Sequence, residues 1–191
     1  MYDNIIPPIL QNTYHLGETM TGAVMALDNV LAIFLLPVFG MLSDKVHTKL
    51  GRRMPFIVVG TILAVIFMML LPMIDNAEKA RWGTVESFSN QVIFLAVLFF
   101  TLVSMGLYRS PAVALMPDVT PNHLRSRANA VINLMGAVGG VYALIMIKVL
   151  VGKGETPDYL PLFASIAAVM AIAVGILVMT IRENKLREEV E

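Results

Sequence analysis

The chain has 191 residues, of which 57% are hydrophobic and 15% charged, against roughly 25% charged in an average soluble domain. Its 14 Lys plus Arg cancel its 14 Asp plus Glu, leaving no global field to attract nucleic acid, and a mean hydropathy of +0.74 points to lipid as the solvent. Cysteine is absent, which excludes disulfide scaffolds, thiolate zinc sites and thiol nucleophiles.

Residues 1–10, MYDNIIPPIL, are apolar enough to finish a membrane span but too short to make one, because a helix rising about 1.5 Å per residue needs about 20 apolar residues to cross. We read them as the last turns of a truncated first helix; the alternative is an extracellular N-terminal segment of a five-span protein. Five complete transmembrane helices are predicted next, at 20–42, 55–74, 91–116, 128–150 and 159–181, with Asp28, Arg109 and Lys148 as their formal charges. Barrel strands would be about half as long and would alternate in polarity. The expected fold class is therefore an all-α membrane protein, a polytopic helical bundle of five complete spans plus the end of a sixth. Pro55, Thr120 with Pro121 and Thr156 with Pro157 mark helix starts, the threonines as capping hydroxyls.

The basic residues set the expected orientation. The loop 43–54, the loop 117–127 and the tail 182–191 hold Lys45, Lys49, Arg52, Arg53, Arg125, Arg127, Arg182, Lys185 and Arg187, whereas the opposite side holds Lys79, Arg81 and Lys153. Short basic loops stay cytoplasmic, so the chain is expected in a cell membrane, multi-pass, with its C-terminus inside.

No phosphate-cradling Gly-x-x-x-x-Gly-Lys-Ser/Thr loop occurs, so the chain cannot drive a pump with its own ATP hydrolysis. Neither His-Glu-x-x-His nor Gly-x-Ser-x-Gly is present, and His15, His47 and His123 lack metal-ligand spacing. An enzyme is not expected, nor any cofactor or metal. What remains is charge in an apolar solvent, which costs at least about 2.5 kcal/mol at the centre of a span and so faces a cavity or a partner. Asp28, next to Asn29, is a candidate proton-coupling acid. Arg109 keeps its proton and can act as a fixed donor fork, with Pro111 bending the helix nearby. At about 1.5 Å per residue, Asp28 lies roughly 12 Å and Arg109 roughly 27 Å below the outer boundary of their spans, which argues against a direct pair. Lys148 sits near a span end and can snorkel. Asn129 and Asn133, and then Gly136 and Gly140, recur every four residues; the glycines suit close helix approach, and the amides can bridge helices or contact a substrate. The spans from Pro55 and Tyr159 carry the fewest polar groups and are expected to face lipid.

The loop after the first complete span reads Gly40-Met-Leu-Ser-Asp44-Lys-Val-His-Thr-Lys-Leu-Gly51-Arg52-Arg53-Met-Pro55. It resembles the signature loop of the major facilitator superfamily, in the lengthened form of the sucrose transporters and the glycoside-pentoside-hexuronide cation symporters. The run Tyr108-Arg-Ser-Pro-Ala-Val-Ala-Leu-Met-Pro-Asp118-Val-Thr-Pro121, continuing to Gly136, resembles the fourth-to-fifth helix segment of bacterial members of that branch. The resemblance implies a twelve-helix, alternating-access transporter of which this chain is the N-terminal half. It implies proton-coupled sugar symport, with lipid, protons, a small-molecule sugar and a missing C-terminal or partner half as partners, and no nucleic acid. Asp28 would bind the proton; Arg109, Asn29, Tyr108, Asn129 and Asn133 would serve substrate or coupling. Gly40, Asp44, Gly51, Arg52, Arg53 and Asp118 would form a cytoplasmic latch. Melibiose-type relatives place paired acids on helix two, whereas Asp28 is the lone acid of that span, which favours protons over sodium; Asp3 is a further candidate. The rival readings are a transport-inactive half-module or gene fragment, and a proton-driven efflux protein on the same fold.

Overall fold

A computed structural model describes residues 2–46, 48, 50–80, 88–151, 157–181, 183–184 and 186. The described residues form six α-helices, α1 (Tyr2–Asn12), α2 (Glu18–Lys45), α3 (Met54–Lys79), α4 (Phe88–Val119), α5 (Arg125–Leu150) and α6 (Leu160–Thr180), with one 3-10 turn at Asn122–Leu124. Five of them, α2 to α6, are long and apolar enough to cross a membrane. The helices overrun their apolar windows because interfacial polar residues can prolong a helix whose backbone bonds are already made. Glu18 in the first turn of α2 and Lys45 in its last suit the helix dipole at each end. Pro55, in the first turn of α3, gives up no bond there.

Two of the expected caps need separate accounts. Thr120 does not cap: Pro121 precedes the 3-10 turn without a side-chain bond. The Arg125 guanidinium closes this corner instead, donating to the carbonyls of Pro117 at 2.9 Å and Thr120 at 3.3 Å, where α4 runs out of partners. Thr156 lies outside the described residues. The start of α6 is capped by Asp158, whose carboxylate accepts the Leu160 N–H at 2.9 Å.

The main core joins four helices. Ile5, Ile6, Ile9 and Leu10 of α1 bury completely against Met68 and Leu71 of α3, Phe94 and Leu98 of α4, and Leu162 and Phe163 of α6. A second, smaller core of Met54, Ile57 and Leu115 closes the other end of α3 and α4. The expectation of a lipid-facing third span is therefore half of the picture. α3 keeps an exposed apolar face at Val59, Ile62 and Ile66, yet it is the most buried of the long helices and packs on both α4 and α6. Gly60 explains the closeness: a Cβ there would meet the Tyr108 backbone nitrogen at 2.8 Å. α5 is the opposite case, with no buried residue. Gly136 and Gly140 have nothing within 4 Å of a Cβ position, so the expected glycine packing stripe meets no neighbour in this unit.

Candidate functional site

Three polar groupings lie along the bundle: one at the basic end, where α2 and α4 finish and α3 starts, one inside, and one at the opposite end. The basic-end loop makes a tight turn. Thr48 and Gly51 exchange backbone bonds of 3.2 and 3.1 Å, and the Thr48 hydroxyl donates to the Gly51 carbonyl at 2.6 Å. Gly51 has φ +124°, in the left-handed region that glycine occupies freely. The turn delivers Arg53 into a cluster where its guanidinium reaches Asp44 of α2 at 3.1 Å and Asp118 of α4 at 2.5 Å. Arg52 approaches the same Asp118 at 3.6 Å. One side chain at the entry to α3 thus ties the ends of two other helices, and a planar guanidinium suits the bridging of two carboxylates. Gly40 lets α2 and α4 close beside it, since a Cβ there would lie 3.2 Å from Ser110 Oγ. Ser110 itself donates across the seam to the Leu36 carbonyl at 2.7 Å.

Glu183, just beyond α6, belongs to this cluster. Its carboxylate accepts the backbone N–H groups of Arg52 at 2.9 Å, Arg53 at 3.1 Å and Met54 at 3.1 Å, and the residue is 1% exposed. Nothing in the sequence marked it out: Arg-Glu-Asn-Lys reads as a solvated charge run at a span end. Lys49, Arg182, Lys185 and Arg187 of the basic count lie outside the described residues, as does His47.

Midway along the bundle, the half-buried Asp28 and the exposed Arg109 line one open-sided cavity of about 340 Å³ together with Tyr108 and Thr101. The rest of its wall is apolar, including Ile6, Met68, Leu71 and Phe163. A second, narrower pocket along the α2–α4 seam is again lined by both charges. The roughly 15 Å of rise between their depths agrees with their lining one elongated space without touching. No Asp28–Arg109 ion pair occurs among the described residues. The two charges share a space without neutralising each other. Asn29, Asn129 and Asn133 do not join them. All three are exposed on helix faces outside the cavity, Asn129 and Asn133 on the bare α5. The side chain of Asp3 is outside the described portion.

The opposite end holds a group that the apolar windows concealed. α3 continues past Ile74, and its Asp75 is completely buried, paired with the Lys79 ammonium at 2.6 Å one turn on. Lys79 also donates to the Pro157 carbonyl at 2.6 Å and stands 4.8 Å over the Tyr159 ring. Asn76 donates to Asp158 at 2.8 Å, Asn90 to Glu78, and Gln91 to the Tyr14 carbonyl at 3.1 Å. Burial, with the nearby Asp75 and Glu78 charges, pushes the Tyr14 phenol above its usual range. Asp158 is held below the usual carboxylate range by its bonds from Asn76 and the Leu160 N–H. This end knits the α1–α2 turn, α3, α4 and the start of α6 together.

A helical bundle with an ion-pair cluster at one end and an unpaired acid and arginine on an open-sided cavity between its helices is the build of a membrane carrier. The family model described as Major Facilitator Superfamily matches residues 1–190, and the chain belongs to that family. It is thus a multi-pass helical membrane protein of a transporter family. Similar chains include the sucrose transport protein SUT3 of Oryza sativa subsp. japonica, 25% identical over 146 residues, covering 72% of this chain and 29% of that protein. The sucrose transport protein SUC3 of Arabidopsis thaliana is 24% identical over 146 residues, covering 72% of this chain and 24% of the relative. An uncharacterized symporter of Synechocystis is 24% identical over 144 residues, covering 73% and 25% respectively. The chain therefore spans between about a quarter and a third of the length of these relatives. No solved structure matches it.

Proposed function

We propose that this chain supplies the N-terminal half of a proton-coupled sugar symporter working by alternating access. The observation that carries the reading is the shared cavity of Asp28, Tyr108 and Arg109. An acid that can take up a proton beside an arginine that cannot lose one gives a binding space whose charge changes with protonation, which is the requirement of coupling. With Asp28 ionised the space carries both signs of charge; protonation of Asp28 leaves it net positive, with the unpaired guanidinium available to substrate oxygens. Tyr108 adds a hydroxyl, and the remainder of the wall is mostly apolar. The sucrose transport proteins and the symporter among the relatives support sugar as the substrate class. In this reading the basic end is cytoplasmic, and Asp44, Arg53 and Asp118, with Arg52 beside them, latch it shut while the outer side is open.

Replacing Asp28 by Asn in the full transporter is expected to abolish pH-driven accumulation while exchange of substrate across the membrane persists. Accumulation against a gradient by Asp28→Asn would overturn the assignment. A second reading, that the 191 residues form a module inactive without a partner half, is favoured by α5, none of whose residues is buried. Transport by this chain alone in reconstituted vesicles would exclude it.

A further inference from the structure

We propose that Glu183 is a positioning residue of the basic-end latch, the group that ties α6 to the signature loop and aims Arg53 between Asp44 and Asp118. The proposal rests on the latch reading above but assigns a residue outside the signature loop, in the segment after α6, which the loop's ion pairs do not touch. Its basis is geometric. A glutamate that is 1% exposed is rare unless fully partnered. Here the carboxylate takes up the N–H groups at the start of α3, where three donors have no helical acceptor and the dipole favours negative charge. The neighbouring Asn184 amide adds a bond to the Thr48 carbonyl at 3.3 Å, inside the same turn.

The identity of Gly51 follows from the same contact. A Cβ at that position would overlap the Glu183 side chain, independently of the strain imposed by φ +124°. The glycine of the signature loop is thus needed twice: once for its backbone conformation and once because Glu183 occupies the space beside it. Arg53 sits between these constraints. Its backbone N–H is held by Glu183, and its guanidinium is held by Asp44 and Asp118. Removing the carboxylate frees the backbone from which the guanidinium is aimed, so the latch loosens although all three of its charged members remain.

These 191 residues hold no cysteine, so a single engineered thiol in them is a clean reporter once any cysteine elsewhere in the full transporter is replaced by serine. Ser110→Cys places it on the α2–α4 seam beside Gly40, below the latch. In the full transporter in inside-out vesicles, labelling by a membrane-impermeant maleimide reports how often the basic end opens. Arg53→Ala is the control for the latch itself and is expected to raise the labelling rate about tenfold, equivalent to about 1.4 kcal/mol against the closed state. Glu183→Ala and Gly51→Ala are expected to raise it similarly, and Glu183→Ala combined with Arg53→Ala to add little more, because both act through one contact set. Glu183→Gln keeps the size and one acceptor oxygen, so it is expected to fall between parent and Ala with an unchanged melting temperature. It also serves where Glu183→Ala does not reach the membrane. A parental labelling rate in Glu183→Ala or Glu183→Gln, with a raised rate in Arg53→Ala, would overturn the proposal and leave the latch standing. Fully additive effects would also overturn it, since Glu183 would then act apart from Arg53. An unchanged rate in Arg53→Ala would remove the latch reading and this proposal with it.

Discussion

The two ends of the bundle both hold buried charge, and they hold it in different ways. At the basic end the guanidinium of Arg53, just before α3, is shared between acids on α2 and α4, and a third acid from beyond α6 holds its backbone. Asp44 is half exposed, at 51% of its side chain. At the opposite end the ion pair is local, Asp75 with Lys79 on one helix, and Asp75 is 0% exposed. An arrangement of several partly solvated charges spread over several helices can be taken apart in steps, because each charge regains water as the helices separate. A pair within one helix whose carboxylate is fully buried cannot, because breaking it strands the Asp75 charge in a dry core. The difference fits the proposed reading, in which the basic end opens and the opposite end holds.

The largest expected effect tests the holding end. Asp75→Ala leaves the Lys79 ammonium without its carboxylate and is expected to destabilise the protein by about 3 kcal/mol or more, read from thermal unfolding in detergent. Joint replacement of Asp75 by Leu and Lys79 by Met is expected to recover most of that loss, since a packed apolar pair is often as stable as a buried ionic one. A double variant as unstable as Asp75→Ala would show that the Pro157 and Tyr159 contacts of Lys79 matter more than the pair.

A smaller effect separates the helices that are packed from those left bare. Gly60→Ala forces a Cβ onto the Tyr108 backbone and is expected to cost about 1–3 kcal/mol in the same unfolding assay. Gly136→Ala meets open space within this unit and is expected to stabilise α5 by a few tenths to about 1 kcal/mol. The same change made in the full transporter distinguishes a bare face from one covered by the other half: destabilisation there would locate the missing neighbour on α5.

The smallest effect concerns pH. Asp158 is exposed, and its ionised form is favoured by the Asn76 amide and the Leu160 N–H. A carboxyl with a depressed folded-state value contributes stability above its unfolded value, and that stability is lost as pH falls through the folded value. The α6 cap is therefore expected to be intact at neutral pH and to weaken only in strong acid, below about pH 4. Asp158→Asn should flatten this part of the acid-unfolding profile; a profile indistinguishable from the parent would remove the cap from the account.

The long helices were legible because membrane solvent makes a demand on every residue in a window, and such a demand survives without knowledge of neighbours. Asp28 and Arg109 stood out for the same reason, as charges where the solvent forbids them. Asp75 and Glu183 did not, since each lies one or two residues beyond an apolar window, where charge is ordinary. The ends of the spans are where composition stops discriminating, and both residues are buried there by contacts from other helices. Asn29, Asn129 and Asn133 are the converse case: an amide in an apolar helix invites a role, but periodicity cannot say whether the stripe it lies on faces a cavity.

By itself the sequence determined the solvent, the helical class, the spans and the signature loop, because hydropathy and backbone satisfaction in lipid act locally along the chain. Only the tertiary structure decided that α3 lies at the centre, that Asp28 and Arg109 share a cavity despite their different depths, and that Glu183 closes over the start of a helix some 130 positions earlier. Such contacts depend on helix tilt, overshoot and side-chain reach, none of which is encoded in the spacing of residues along a single helix.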